Sequence, residues 1–235
     1  MLIDFAQRSM EFERIDTGDY TEEEYDQFLI DIRRVNQLAG DIWALKKTLH
    51  SDIKNKDLRE FSVLDLGAGS GELLRSCAKF ARKTNRKAHL YGLELNRRSA
   101  ESILQESEDF EEISSIQADV LNLPFKENSF DYVICSLFTH HFNAEDIKTI
   151  LEKMAAISRR KIFVIDLHRH RAAYGMYKIF TSIFIKGSLV KEDGALSILR
   201  GFKPAEMENL ALEARLRNFK VERCFPFRIV LTADI

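Results

Sequence analysis

The sequence predicts an α/β fold: a doubly wound, mostly parallel sheet of seven strands with a C-terminal antiparallel hairpin and an N-terminal helical addition. Three observations carry this reading. From about residue 60 onward, short apolar runs alternate with helix-length amphipathic segments, which is the pattern of βαβ units. The runs are almost continuously apolar, as strands covered on both faces are. Gly67, Gly69 and Gly71 follow the first run directly, at the βα turn where such a sheet brings its backbone to a ligand.

The first element is helical. Thr21 precedes Glu22, Glu23 and Glu24, so Thr21 and Glu24 form a capping box with acids where the helix dipole favours them. Tyr25, Phe28, Leu29, Ile32, Val35, Leu38, Ala39, Ile42, Trp43 and Leu45 then recur at three- and four-residue steps. This is one long amphipathic helix with an interruption near Gly40. From residue 61 the period changes, and runs at 61–66, 88–93, 113–118, 132–137 and 162–165 have strand length. Between them, 71–83, 97–109 and 144–157 read as helices, the last capped by Asn143. Beyond Asp166 the spacing predicts a helix at about 170–185, an irregular stretch at 186–203 and a helix at about 204–218. The runs 220–224 and 227–231 close the chain as a hairpin through Pro226. The chain therefore divides into an N-terminal helical cap, 1–58, and a main domain, 59–235, with a lid-like insertion at about 168–203.

At 235 residues, with 45% hydrophobic and 31% charged residues, the composition is that of a globular protein and excludes collagen-like and disordered classes. The net charge of −2 argues against a protein that holds nucleic acid chiefly by its phosphates. Yet the charge is uneven: residues 1–31 carry ten acids and two bases, and residues 158–228 carry fifteen bases and seven acids. Either the two ends neutralise each other on one surface or they mark a partner surface. Cys77, Cys135 and Cys224 are far apart and make neither a disulfide framework nor a metal-ligand spacing, so no metal is expected and a reduced, cytoplasmic setting is. The first fifteen residues lack the basic and apolar regions of a secretory leader, and no 18-residue apolar window exists. No transmembrane segment is expected.

Chemistry concentrates in the glycine turn. Val63-Leu64-Asp65-Leu66-Gly67-Ala68-Gly69-Ser70-Gly71 reads as strand, turn and helix start, with GxGxG where the dinucleotide fingerprint has GxGxxG. The sixth position is Glu72, and Asp65 stands two residues before the turn. A pyrophosphate beside these acids meets repulsion, whereas a cofactor carrying an ammonium and a sulfonium is attracted. The electrostatics select S-adenosylmethionine over NAD. Glu94 ends the second strand, beside Leu95, where a carboxylate accepts both ribose hydroxyls. Asp119 ends the third strand and can accept an adenine amino group, while Val120 offers backbone to the ring edge.

The fourth strand, in Asp131-Tyr132-Val133-Ile134-Cys135-Ser136-Leu137-Phe138, opens into a loop bearing His140 and His141. Here the chain resembles the class I S-adenosylmethionine-dependent methyltransferases, over roughly residues 61–166. The resemblance implies a Rossmann-like fold, with Ser136 and Leu137 joining the cofactor contacts. It is similar in overall pattern to the small-molecule enzymes of ubiquinone and menaquinone biosynthesis. Residues 32–36 (Ile-Arg-Arg-Val-Asn), 167–171 and 193–202 look like a bacterial subgroup found beside type III polyketide synthases, although Gly201-Phe202-Lys203 stands where Ala-Tyr-Thr is expected. That likeness implies a phenolic, pyrone, quinone or lipid-like acceptor.

Methyl transfer from a sulfonium needs alignment and water exclusion above all. A general base matters when the acceptor must lose a proton. His140 and His141 are the candidates for that task, with hydrogen-bonding or cofactor-shaping roles as the alternative. Enzymes of this superfamily that methylate base amines or glutamine amides carry Asn or Asp followed by Pro-Pro and an aromatic where this chain has Cys135-Ser136-Leu137-Phe138, so no nucleic acid is expected as substrate. The apolar segment 174–185 is either a buried core or dimer helix, a lid over an apolar acceptor, or a peripheral membrane contact. Tyr174, Tyr177 and Arg200 are the candidate acceptor-binding residues, Arg200 being a surface residue otherwise. Two further functions stay open: a cofactor-binding interaction protein without turnover, and an RNA or protein methyltransferase. The molecule is expected to be a monomer or a homodimer.

Overall fold

The computed structural model describes residues 4–38 and 40–235; Ala39 and the side chains of Leu29, Arg33, Asn36, Gln37 and Leu38, named in the helix pattern or the subgroup motif above or adjoining them, lie outside the described residues. In chain order the elements are α1 (Arg14–Thr17), α2 (Glu22–Leu38), α3 (Asp41–Leu45), a π-helical turn (Lys46–His50) and α4 (Ser51–Asn55). Then follow β1 (Glu60–Leu66), α5 (Glu72–Lys83), β2 (Lys87–Glu94), α6 (Arg97–Gln105), β3 (Ile113–Gln117) and β4 (Phe130–Ser136). The chain ends with α7 (Ala144–Ile157), β5 (Ser158–Leu167), α8 (Arg171–Phe184), α9 (Ser188–Arg200), α10 (Pro204–Glu213), β6 (Phe219–Cys224) and β7 (Arg228–Asp234).

The seven strands form one sheet in the order β3-β2-β1-β4-β5-β7-β6. All neighbours from β3 to β5 pair in parallel, and β7 runs antiparallel between β5 and β6. Alternate strand residues feed two cores, as the two-residue period of a strand demands. On one face Leu64, Leu66, Val133, Cys135 and Val164 pack with Ile147, Leu151 and Met154 of α7 and Met207 of α10. On the other, Val63, Ile134 and Ile165 pack with Leu74 and Cys77 of α5 and with Ala44, Leu45, Leu49 and Ile53. Each fully buried aliphatic side chain contributes about 1.5–3 kcal/mol. Ala44, Leu45, Leu49 and Ile53, from the segment before β1, thus share a core with the sheet.

The helix starts follow the local chemistry. Glu24 N–H donates to Thr21 Oγ1 at 3.2 Å and Thr21 N–H to Glu24 Oε2 at 3.0 Å, completing the capping box. Asn143 caps α7 by accepting the Asp146 N–H at 3.0 Å. The break expected in the first helix falls at Gly40, whose φ is +85° and where a Cβ would lie 2.3 Å from Pro226 Cδ.

The stretch 186–203, expected to be irregular, is mostly the helix α9. Its buried residues, Leu189, Val190, Asp193, Ala195, Ile198 and Arg200, do not fall on one apolar stripe, which hid the helical period. Gly194 sits mid-helix because the Tyr177 hydroxyl occupies the place of its Cβ. α8, expected to be buried on several sides if it were a core helix, buries only Ala173 and Thr181 fully and exposes Met176, Ile179, Ile183 and Phe184. The acidic N-terminal part packs on the basic region. Asp31 accepts the Gly187 N–H at 2.9 Å, Asp193 accepts the N–H groups of Arg14 and Ile15, and Arg200 lies 3.7 Å from Asp16. To this extent the two ends neutralise each other.

Candidate active site

Because β3, β2, β1, β4 and β5 are adjacent and parallel, their carboxyl ends share one edge of the sheet. Strand order reverses between β1 and β4, which opens the crevice where ligands bind in doubly wound folds. The glycine turn follows β1 and the histidine loop follows β4. Phe138 joins them: a Cβ on Gly67 would lie 2.2 Å from its ring, and its ring centroid is 4.9 Å from that of Phe142.

Gly67, Gly69 and Gly71 have φ of +67°, +56° and +83°, a region other residues rarely occupy. Gly69 is exposed with nothing within 4 Å of where a Cβ would stand, so its need is conformational, while Gly67 is also required by Phe138. The Gly69 N–H donates to Glu94 Oε1. Beneath the turn, Asp65 is buried and its Oδ1 has no partner. Burial first, and the charge of Glu94 second, push its carboxyl well above the usual carboxylate range. Burial also raises Glu94, against the opposing N–H groups of Gly69 and Leu95, and raises Glu72. Three carboxyls with raised proton affinity around one turn form a site that a cation relieves.

The remaining cofactor candidates are placed less freely. Asp119 follows β3, but its Oδ1 accepts the Leu121 N–H at 2.8 Å and its Oδ2 the Asn122 side-chain amide at 2.9 Å. Its carboxylate is a cap for the turn at Val120–Asn122, a structural duty the sequence did not signal. Val120 is buried and Leu95 is exposed. Ser136 Oγ donates to Asp41 Oδ1 at 3.4 Å, and Asp41 is held by Arg228 through contacts of 2.6 and 3.1 Å. Leu137 has φ of +50° and donates its N–H to the Ile165 carbonyl at 2.9 Å.

His140 is buried, with Nδ1 2.7 Å from Asp166 Oδ1. Asp166 Oδ2 also accepts from Thr139 Oγ1 at 2.6 Å and the His140 N–H at 3.1 Å. Burial alone would raise the Asp166 carboxyl, but the charge and hydrogen bond of His140, with Thr139, outweigh it and hold the group well below the usual range. An ionised carboxylate only accepts, so Nδ1 carries the proton and a neutral ring keeps its lone pair on Nε2. His141 stacks beside it at 4.3 Å between centroids, and its Nδ1 is 2.9 Å from Asp16 Oδ2. Burial would lower the His141 pKa; Asp16 and Glu13 overcome this and raise it. Both histidines line a cavity of about 250 Å³ with Arg8, Met10, Phe12 and Phe142.

The fold separates the acceptor candidates. Tyr177 donates to the Val190 carbonyl at 2.5 Å and packs on Gly194, tying α8 to α9. Tyr174 meets the Phe5 ring edge-on at 5.7 Å. Neither lines the cavity. Arg200 does line it, yet it is buried, with Nε donating to the His140 carbonyl at 3.0 Å and Nη1 to the Glu11 carbonyl at 2.7 Å. It is therefore not a surface arginine, and through these bonds it braces the histidine loop.

Sequence reasoning missed Asp166, Glu13, Asp16 and Arg8. Asp166 ends β5 as Glu94 ends β2, and that shared position was the available signal. Glu13 and Asp16 come from a segment more than a hundred residues away, with no local motif. Glu13 Oε1 lies 3.9 Å from His140 Nε2, and Arg8 donates to the carbonyls of Arg200, His140 and Phe142 at 2.8–3.2 Å.

Residues 63–161 match a family described as "Methyltransferase domain". Among curated proteins, the chain is 29% identical over 113 residues to the 2-phytyl-1,4-naphtoquinone methyltransferase of Nostoc punctiforme, covering 46% of this chain and 47% of that one. It is 28% identical over 96 residues to the demethylmenaquinone methyltransferase of Bacillus licheniformis, covering 41% and 39%. The chain spans about half the length, or less, of the curated relatives it matches. Among solved structures, the magnesium protoporphyrin IX methyltransferase of Synechocystis, with SAH bound, superposes with a TM-score of 0.61 at 16% identity, covering 94% of this chain and 97% of that one. A SAM-dependent methyltransferase from Aquifex aeolicus gives 0.58 at 15%, covering 79% and 88%. At these identities the likeness shows the fold.

Proposed function

We propose, from the match of residues 63–161 to a methyltransferase-domain family and the doubly wound order of the sheet, that the chain is an S-adenosylmethionine-dependent methyltransferase acting on a small, apolar or aromatic acceptor of phenol, pyrone, quinone or lipid-like kind. One observation carries the reading: Asp65, Glu94, Asp119, His140 and Asp166 lie at the carboxyl ends of five adjacent parallel strands, around a turn built on glycine.

The residues present fit the cofactor. The unpartnered Oδ1 of buried Asp65 is an acid in want of a cation, and the exposed, side-chain-free Gly69 leaves room over the turn beside Glu94. Bound there, S-adenosylmethionine supplies a methyl group already attached to a cationic leaving group. The chain's own part is to orient and to move a proton. Asp166 fixes the His140 ring, and Nε2 takes the proton from an acceptor hydroxyl as its oxygen gains the methyl group. Phe12, Phe142 and Met10 line the cavity and supply its apolar wall, while Phe138 stands between cavity and turn.

Two features support a small acceptor over RNA. Arg169, in the basic region 158–228, is buried on the carbonyls of Phe5, Ala6 and Gly201 and on Glu206 and so is not offered to a phosphate backbone, and the relatives named above act on quinones and a porphyrin by their names. Among the described residues no helix is long and apolar enough to cross a membrane. α8 instead supports a peripheral contact: Met176, Ile179, Ile183 and Phe184 are exposed, and residues 171–186 carry Arg171, Lys178 and Lys186 with no acid. Two copies paired along this stripe would set like charges together, so anionic lipid is the better occupant.

The test is transfer of labelled methyl from S-adenosylmethionine to a panel of phenols, pyrones and demethylated quinones. Label in the extracted product is expected. Cofactor binding with no transfer to any member would favour a binding protein without turnover.

A further inference from the structure

We propose that Glu13, His140 and His141 form a binding site for a transition-metal dication of the zinc kind. One ligand atom of each lies within 4.8 Å of the others, and Glu13 Oε1 is 3.9 Å from His140 Nε2. Ligands around zinc stand roughly 3.3 Å apart, given bond lengths of about 2.0–2.2 Å. Side-chain adjustments of about an ångström therefore close the shell.

The surroundings are those of metal-binding imidazoles, whose second nitrogen is oriented by a carboxylate. Nδ1 of His140 lies 2.7 Å from Asp166, and Nδ1 of His141 lies 2.9 Å from Asp16. Each ring keeps Nε2 for a ligand bond. Ser197 Oγ donates to Glu13 Oε1 at 2.8 Å and fixes the third ligand. Two imidazoles and one carboxylate leave a fourth position, and both rings border the cavity that gives an ion its way in.

The charges agree. Glu13, Asp16 and Asp166 oppose Arg8 and Arg200, so with neutral imidazoles the cluster holds one excess negative charge. Arg200 is the opposing feature, with Nε 4.0 Å from Glu13 Oε1. Its donors, however, are directed at the carbonyls of His140 and Glu11. Imidazole ligands select zinc, cobalt, nickel or copper over magnesium and calcium.

Binding of the ion rests on these residues alone; only its consequence rests on the proposed methyl transfer, because an ion on Nε2 of His140 prevents that atom from taking an acceptor proton. The experiment uses chelator-dialysed full chain titrated with Zn²⁺ by calorimetry and with Co²⁺ by absorption. One equivalent is expected, with a rise in melting temperature and a visible Co²⁺ band of four-coordinate intensity. Glu13→Gln and His141→Gln should each weaken binding about tenfold or more, while His89→Gln, at a half-buried histidine of β2 paired with Glu60, should not. Absence of binding by the wild-type chain at millimolar Zn²⁺, or binding that both site variants leave unchanged, overturns the proposal, whether or not the variants fold as well as wild type. A chain that binds the ion but transfers no methyl would refute only the proposed function. Undisturbed transfer without ion binding would refute only this site.

Discussion

His140 Nδ1 and Asp166 Oδ1 lie 2.7 Å apart in the closed interior between β4 and β5, with the His140 side chain 3% and the Asp166 side chain 0% exposed. The contact fixes which ring nitrogen is free. Asp166→Asn keeps the shape but can present its amide to Nδ1, so the wrong tautomer becomes available. We expect turnover on a hydroxyl acceptor to fall by about 10²-fold or more, with cofactor affinity within a few-fold. An unchanged turnover would give Asp166 a structural role only.

Asp65 predicts a proton released on cofactor binding. Its folded pKa is raised, first by burial and then by Glu94, so the ligand-free protein keeps a proton that the unfolded chain has lost. That stabilising contribution is full below about pH 3.9 and is lost as pH rises through the folded value. A cation bound beside it favours the ionised form, so affinity should rise with pH over the same window. Calorimetry in two buffers of different ionisation heat should show proton release for wild type and less for Asp65→Asn. Equal values would contradict the account.

Gly67 and Phe138 should be energetically coupled. Gly67→Ala places a Cβ 2.2 Å from the ring at a φ of +67°, and we expect a loss of about 1–3 kcal/mol in denaturant stability. Phe138→Ala in the same chain should restore the steric share, leaving a coupling of about 0.5 kcal/mol or more. Strict additivity would mean that the ring moves aside freely.

The α8 stripe is tested by Ile179→Glu and Ile183→Glu, at positions 64% and 66% exposed. Stability should change by no more than about 0.5 kcal/mol, while co-sedimentation with anionic vesicles falls several-fold and weakens with salt. Vesicle binding equal to wild type would remove the lipid contact.

Most of the sheet was legible because its strands are short, apolar and separated by capped helices: Asn143 and the Thr21–Glu24 box mark helix starts in sequence and structure alike. α9 was not, since its buried Asp193 serves the N-terminus of α1 and its Gly194 serves Tyr177, and neither purpose has a local signature. The glycine turn was legible in kind, and its acids lie where expected, though Asp119 proves to be a cap. The histidine pair was visible as candidates, but not Asp166 behind it. The burial of Arg200 was not legible, because its partners, the carbonyls of Glu11 and His140, come from segments that only the fold brings together.

The central claim is that the glycine turn with Asp65 and Glu94 holds a sulfonium cofactor, and titration calorimetry of the full chain with S-adenosylmethionine and S-adenosylhomocysteine tests it most directly. The account predicts saturable binding of one equivalent, lost or much weakened in Asp65→Ala with the fold retained. No binding to the wild-type chain, or heats indistinguishable from those of Asp65→Ala, would contradict it.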